Sequence, residues 1–198
     1  RLRDIAEKAD ADFEIKFFDV DLKTCIKQDL QRKYSVGEKV IRSFYNQFIK
    51  PKPEVYVPPA RKPSAIIVDV DGTLARANGR DIYDGSMVHT DLVINPIRRI
   101  VQEYSSKGSV IIMSGRNSRY RDVTIKWLDD NYIPHDNVLM RADGDIRQDA
   151  IVKEELFNTH VRHKYIIDYV LDDRLQVCRM WHSLGLTVLR CGDPDADF

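Results

Sequence analysis

The chain has 198 residues, with 31 basic and 31 acidic side chains and no net charge at neutral pH. That length holds one ordinary domain and a smaller piece, and the charge balance excludes a protein that coats nucleic acid through a whole-body electrostatic field. Cys25, Cys178 and Cys191 are far apart with no CxxC pair, which excludes a disulfide framework and reads as reduced thiols of a cytosolic protein.

From the first residue, Glu14 to Val20 reads as a short strand, and Leu22 to Lys33 and Gly37 to Ile49 as helices. That is too little for an independent core. The chain opens on Arg1 rather than methionine, as if cut from a longer polypeptide. Pro51, Pro53, Pro58, Pro59 and Pro63 crowd PKPEVYVPPARKP, a stiff extended linker. The expected organisation is therefore residues 1–50, a linker at 51–63, and a main domain at 64–198.

Ala65 to Val70 is an apolar run that stops against Gly72 and Thr73, with Asp69 and Asp71 at its end. The run reads as a buried strand whose carboxyl end carries both acids, the place where open α/β sheets keep their active sites. Strand alternation would turn both carboxylates to one face, within a few ångströms of each other, and such a pair needs a cation or a shared proton. Mg²⁺ meets that need.

Further polar stations follow in order. Val110 to Met113 ends in Ser114, Gly115 and Arg116; the segment around Asp149 carries Lys153; Ile166 to Leu171 ends in Asp172, Asp173 and Arg174. Helical patterns between the stations, one beginning near Pro96, give the rhythm of a parallel sheet with crossover helices. His160 and His163 lack a third ligand for zinc and read as polar residues near a helix end. No apolar stretch approaches the ~20 residues of a membrane span, and no signal peptide opens the chain.

The motifs DVDGTL, IIMSGR, the Lys of IVKEELF, and VLDDR resemble the haloacid dehalogenase superfamily of phosphotransferases. The longer stretches DVDGTLARANGRDIYD, MSGRNSRYRDVTIKWL, GDIRQDAIVKEELF and VLDDRLQVCRMW are similar to the phosphatase domain of bacteriophage-type polynucleotide kinase/3′-phosphatases, from Ser64 almost to Phe198. The resemblance implies a doubly wound parallel α/β sheet of Rossmann-like, haloacid-dehalogenase-like type with a minimal cap. Only Ala75 to Asn95 is available for a cap after the first strand, too short for its own core. ARANGRDIYDG then forms a short flap over an open site, able to admit a strand end.

The resemblance also implies roles. Asp69 attacks phosphorus and forms an aspartyl-phosphate, and Asp71 protonates the leaving 3′ oxygen and then activates water. Mg²⁺ is held by Asp69, the main-chain carbonyl of Asp71, and Asp173, an all-oxygen set suited to a hard ion. Ser114 and Lys153 hold nonbridging oxygens, and Thr73 adds a hydroxyl or braces the turn. Arg80, Arg116 and Arg141 fall at substrate-contact positions, with planar forks suited to phosphate. Asp149 orients Lys153 or another basic group, while Arg119, Arg121 and Arg147 read equally as solvated charges.

FFDVDLKTCIKQDLQRKYSVGEKVIRSFYNQF resembles the final third of the P-loop kinase domain that precedes the phosphatase in such enzymes, with Arg32 matching its lid arginine. No GxxxxGK[ST] occurs, so ATP and 5′-kinase activity are expected only of a longer parent chain. The expected activity is Mg²⁺-dependent removal of terminal 3′-phosphates, and of 2′,3′-cyclic phosphates, from single-stranded RNA or DNA ends. The expected setting is the cytoplasm of a bacterium or a phage-infected cell, with a homo-oligomer implied by the resembled proteins. Two other readings stay open. One is a capless phosphatase for small phosphoesters or phosphoproteins; the other is a non-catalytic module that binds nucleic-acid ends, whose mark would be loss of Asp69 or Asp71.

Overall fold

The computed structural model describes residues 2–14, 16, 20–49, 54–81 and 84–192. The chain divides into two compact units, Arg1–Lys52 and Pro53–Phe198.

The first unit carries α1 (Leu2–Lys8), α2 (Leu22–Leu30) and α3 (Glu38–Phe44), which runs on into a π-helical turn, Tyr45–Ile49. Asp21 caps α2 by accepting from the Thr24 N–H at 3.0 Å. The helix stops at Leu30 rather than Lys33, and Asp29 organises the turn that follows, accepting from the Ser35 hydroxyl at 2.6 Å and the Gly37 N–H at 3.0 Å. Arg32 is exposed in that turn. The expected strand Glu14 to Val20 lies largely outside the described residues, and Glu14, Lys16 and Val20 are not in strand conformation.

The second unit is a parallel sheet between two helical layers. Its strands are β1 (Ser64–Val68), β4 (Ser109–Asn117), β5 (Asn137–Arg141), β6 (Ile166–Asp172) and β7 (Val188–Arg190), in the order β5-β4-β1-β6-β7 and parallel throughout. A separate antiparallel ladder joins β2 (Ala75–Arg76) to β3 (Leu92–Val93). Strand alternation divides the core. Ile66 and Val68 face α4 (Asn95–Tyr104) and α5 (Arg121–Asp130) through Val101, Trp127 and Leu128. Ala65 and Ile67 face α6 (Asp149–His160) and α7 (Leu175–Ser183) through Phe157, Val177 and Trp181.

From β1 the chain moves outward to β4 and β5, then returns to add β6 and β7 on the other side. The topological switch point therefore lies between β1 and β6, the place where open α/β sheets bind their ligands beyond the carboxyl ends. Asp69 follows β1 there and Asp172 ends β6, with the Asp69 N–H donating to the Leu171 carbonyl at 2.9 Å.

The proline-rich segment, expected to be a stiff extended linker over 51–63, is part of the second unit from Glu54 onward. Tyr56 is buried edge-on against Phe157, donates its hydroxyl to the Tyr165 carbonyl at 2.7 Å and accepts from the Ile167 N–H at 3.0 Å. Burial of this aromatic ring docks the segment on the domain without requiring the prolines to leave their preferred conformation.

Candidate active site

Four segments meet at the switch point: the turn after β1, the end of β4, the start of α6 and the end of β6. β1 ends at Val68, and the chain then closes a tight turn in which the Val70 carbonyl accepts from the N–H groups of Thr73, Leu74 and Ala75 at 3.3, 2.9 and 2.8 Å. Gly72 makes the turn possible. Its φ is +81°, and a Cβ there would lie 2.0 Å from Asp173 Oδ2, so the backbone passes where no side chain fits.

Lys153 is the centre of the charge arrangement. It projects from the second turn of α6, is 1% exposed, and donates Nζ to Asp69 Oδ1 at 2.7 Å and Asp172 Oδ2 at 2.9 Å, with Asp149 Oδ2 at 3.8 Å. Lys153 is therefore a core residue and not a helix-surface lysine. Burial alone would favour the neutral amine, but Asp172, Asp69 and Asp149 outweigh it and hold the ammonium well above the ordinary lysine range.

Asp69, Asp172 and Asp173 bring carboxylate oxygens within 4.8 Å of one another. Burial first, and then the charges of Asp172, Asp173 and Asp149, push the Asp69 carboxyl well above the usual carboxylate range against the pull of Lys153. Burial and Asp172 likewise raise Asp173. Three acids face one ammonium, and a hard divalent cation with oxygen ligands fits the deficit. Thr73, fully buried, lies with its hydroxyl 3.4 Å from Asp173 Oδ1.

Asp71 departs from expectation. Its side chain is not in the carboxylate group of Asp69, Asp172 and Asp173. It accepts instead from Arg116 Nε at 2.7 Å and Nη2 at 2.8 Å and from Arg80 Nη2 at 3.2 Å. Alternation cannot carry the pair to one face, because the strand has ended and the turn redirects the chain between them.

The same arginines are held from behind by Asp91. Its carboxylate accepts from Arg80 Nε and Nη2 and from Arg116 Nη2, each at 2.7 Å, and its carbonyl accepts from Trp127 Nε1 at 3.0 Å. Two acids and two arginines thus form a compact balanced cluster, with Asp71 side chain 41% exposed at its open side and Asp91 side chain fully enclosed. The flap that carries Arg80 consists, in its described part, of β2, β3 and a 3₁₀ segment, Gly85–Thr90.

Ser114 and Gly115 lie within β4, which extends to Asn117 through a register shift against β5. The Ser114 hydroxyl accepts from the Arg116 N–H at 3.1 Å. Asp149 approaches so closely that a Cβ on Gly115 would lie 2.2 Å from its Oδ1. Arg141 is expected among the substrate contacts, yet its guanidinium is occupied by the Gly115 carbonyl at 2.8 Å, the Arg147 carbonyl at 2.7 Å and Asp149 at 3.0 Å. It braces the loop beside the site. Asp149 also has Arg174 at 3.5 Å, so it links three basic groups, Lys153 and Arg141 among them. Arg119 and Arg147 are in half-exposed ion pairs with Asp143 and Asp145, and Arg121 donates to the Val138 carbonyl.

One residue escaped the sequence reading, and another was named there without a role. Asp91 follows the 3₁₀ segment rather than a strand of the main sheet, and no motif marks it. Asp172 stands beside Asp173 in DDR, where the sequence does not tell which acid meets which partner. Cys178 and Cys191 lie behind Asp172, whose carbonyl accepts from Cys178 Sγ at 3.6 Å and the Cys191 N–H at 2.9 Å. Burial pushes their thiols up to about 11 and about 12, so neither supplies a thiolate nucleophile at neutral pH.

Residues 63–196 match the family model of the polynucleotide kinase PNKP phosphatase domain. A protein of Autographa californica nuclear polyhedrosis virus named "Putative bifunctional polynucleotide kinase/RNA ligase" is 31% identical over 182 residues, covering 88% of this chain and 26% of the viral protein. The chain thus spans about a quarter of that relative's length. A solved structure of the Pnkp1/Rnl/Hen1 RNA repair complex contains a chain that is 31% identical, with a TM-score of 0.68 over 98% of this chain and 70% of its own. A second structure of the Pnkp1/Rnl/Hen1 complex gives 32% identity and a TM-score of 0.67 over 97% of this chain and 68% of the other. With its doubly wound sheet and its acid, lysine and arginine groups at the switch point, the chain belongs to the polynucleotide kinase PNKP phosphatase-domain family.

Proposed function

We propose that the second unit is a Mg²⁺-dependent polynucleotide 3′-phosphatase acting on RNA or DNA ends, and that Asp69 is its nucleophile. The observation that carries the reading is the buried Asp69 to Lys153 contact of 2.7 Å, with Asp172 and Asp173 beside it and the two-arginine cluster at Asp71. RNA is the favoured substrate, because the similar solved chains are components of an RNA repair complex.

Asp69, Asp173 and the Asp71 main-chain carbonyl would hold the Mg²⁺ ion, which when bound lessens the repulsion between an anionic nucleophile and an anionic phosphate. Lys153 engages Oδ1 of Asp69, leaving Oδ2 to attack phosphorus. The P–O3′ bond breaks as the Asp69 O–P bond forms, and Asp71 delivers a proton to the departing 3′ oxygen. Water then attacks the phosphorus of the aspartyl-phosphate, gives its proton to Asp71 and releases Asp69 with inorganic phosphate. Ser114, Thr73 and Lys153 hold the nonbridging oxygens.

Arg80 and Arg116 occupy Asp71 before substrate arrives. An incoming phosphate dianion competes for the same forks and frees the Asp71 carboxyl to carry a proton, while Asp91 keeps both guanidinium groups in place. For the first unit we propose the tail of a kinase domain, with Arg32 as the lid arginine that meets the nucleotide phosphates and ATP used only in a longer parent chain.

Parallel assays with a 3′-phosphorylated oligonucleotide, a 3′-mononucleotide and a phosphopeptide test the reading. Magnesium-dependent phosphate release is expected to be fastest with the oligonucleotide. Preference for the mononucleotide or the phosphopeptide would overturn it.

A further inference from the structure

The loop between β5 and α6, residues 142–148, is tied down along its length. Arg141 binds the carbonyls of Gly115 and Arg147 and the carboxylate of Asp149. Asp143 accepts from Asn117 Nδ2 at 2.8 Å and Arg119 Nη2 at 2.6 Å. Asp145 accepts from the Arg147 N–H at 2.9 Å and Nη2 at 2.6 Å, and Arg147 Nη1 reaches Glu155 at 2.7 Å. Within this polar frame Ile146 is 97% exposed.

A lone apolar side chain on a loose surface loop calls for no explanation. Here the surrounding bonds fix the backbone on both sides of an isoleucine that adds nothing to the core, so its position is specified. It is also close to the chemistry. Three residues span at most about 11 Å, which bounds the distance from the Ile146 Cα to that of Asp149, and the Asp149 carboxylate lies 3.8 Å from the Lys153 ammonium. On the neighbouring loop Arg119, held by Asp143, lies over the Tyr120 ring at 5.8 Å from its centroid. Both loops follow the carboxyl ends of neighbouring parallel strands, β4 and β5, so an apolar tip, a cation and an aromatic ring lie on the same rim of the sheet as the site, a combination that suits a base on a charged strand.

We propose that Ile146 is a specificity residue that packs against the nucleobase adjoining the terminal 3′-phosphate and so favours a polynucleotide end over a small phosphoester. The assignment rests on the polynucleotide 3′-phosphatase reading of the site. Because any base offers an apolar face, the contact selects nucleic acid without selecting sequence.

Steady-state kinetics of Ile146→Ser and Ile146→Leu on a 3′-phosphorylated oligonucleotide and on p-nitrophenyl phosphate, with sedimentation of each variant, test it. The serine variant is expected to raise KM for the oligonucleotide about tenfold, the equivalent of losing a partly buried aliphatic side chain. Its kcat and its aryl phosphate kinetics stay unchanged, and leucine restores the KM. A normal oligonucleotide rate that Ile146→Ser leaves untouched, or equal losses on both substrates, overturns the assignment alone. A change in association state with KM unmoved also overturns it, in favour of a contact between copies of the chain. Wild-type turnover of the aryl phosphate with none of the oligonucleotide overturns the underlying reading and this assignment with it.

Discussion

Lys153 Nζ and Asp69 Oδ1 meet at 2.7 Å in the buried heart of the site, 84 residues apart in the chain. Because Asp172 shares the same ammonium at 2.9 Å, Lys153 is the common counter-ion of two acids. Lys153→Met, close in volume, leaves them without their cation. A loss of about 3–5 kcal/mol in urea unfolding is expected at neutral pH, by analogy with breaking a buried pair. The loss should shrink in acid, where the Asp69 carboxyl, raised by burial, takes up a proton.

Metal and pH act on the same acids. Burial raises Asp69 and Asp173 above the value of about 3.9 for a free aspartate. Their contribution to stability is therefore complete below that unfolded value and is lost as pH rises through the folded values. The metal-free chain is expected to melt at progressively lower temperature as pH rises above the free-aspartate value, and MgCl₂ is expected to raise the midpoint most at the upper end of that rise, where the acids are ionised. Thermal melts with and without the metal, using Asp69→Asn as control, check this. A magnesium effect independent of pH in both proteins contradicts it.

Two glycines should tolerate no side chain. Gly72→Ala must accept a positive φ and drive a methyl into Asp173, which sits 2.0 Å from the Cβ position. A stability loss of at least about 1 kcal/mol is expected, with a larger proportional loss of turnover because Asp173 is displaced. Gly115→Ala meets Asp149 Oδ1 at 2.2 Å and is expected to lower turnover by disturbing the Lys153 side of the site. Alanine variants with wild-type kinetics would contradict these close approaches.

Asp91 touches neither Asp69 nor Lys153 among its described contacts, yet it holds both Arg80 and Arg116 at 2.7 Å. Asp91→Ala leaves two enclosed guanidinium groups with Asp71 as their remaining carboxylate partner in the cluster. Turnover should fall by about a hundredfold or more, the equivalent of losing about 3 kcal/mol of positioning. The loss should be non-additive with Arg116→Ala in a double-mutant cycle. Additive losses would separate Asp91 from the arginines.

Much of this was legible in the residues. Ala65 to Val70, Val110 to Met113 and Ile166 to Leu171 are apolar runs without helical period, so the three central strands could be read directly, and the polar residues after each run located the switch point. What escaped depended on geometry after a strand ends. Asp71 was read by alternation, but β1 stops at Val68 and the turn around Gly72 sends its carboxylate to Arg116. Asp91 precedes a two-residue strand, β3, whose pairing leaves no periodic signal. Arg141 looks like any phosphate-binding arginine in sequence, and only the carbonyls around it make it a brace. Tyr56 lies among prolines whose local preference suggests a linker, while its burial against Phe157 is a tertiary effect.

The nucleophile assignment is tested most directly by phosphate release from a 3′-phosphorylated oligonucleotide by Asp69→Asn, with its folding checked by circular dichroism. The asparagine cannot form an aspartyl-phosphate, so a folded protein whose turnover is reduced by about a thousandfold or more is expected. A folded variant that releases phosphate within tenfold of the wild-type rate would contradict the account.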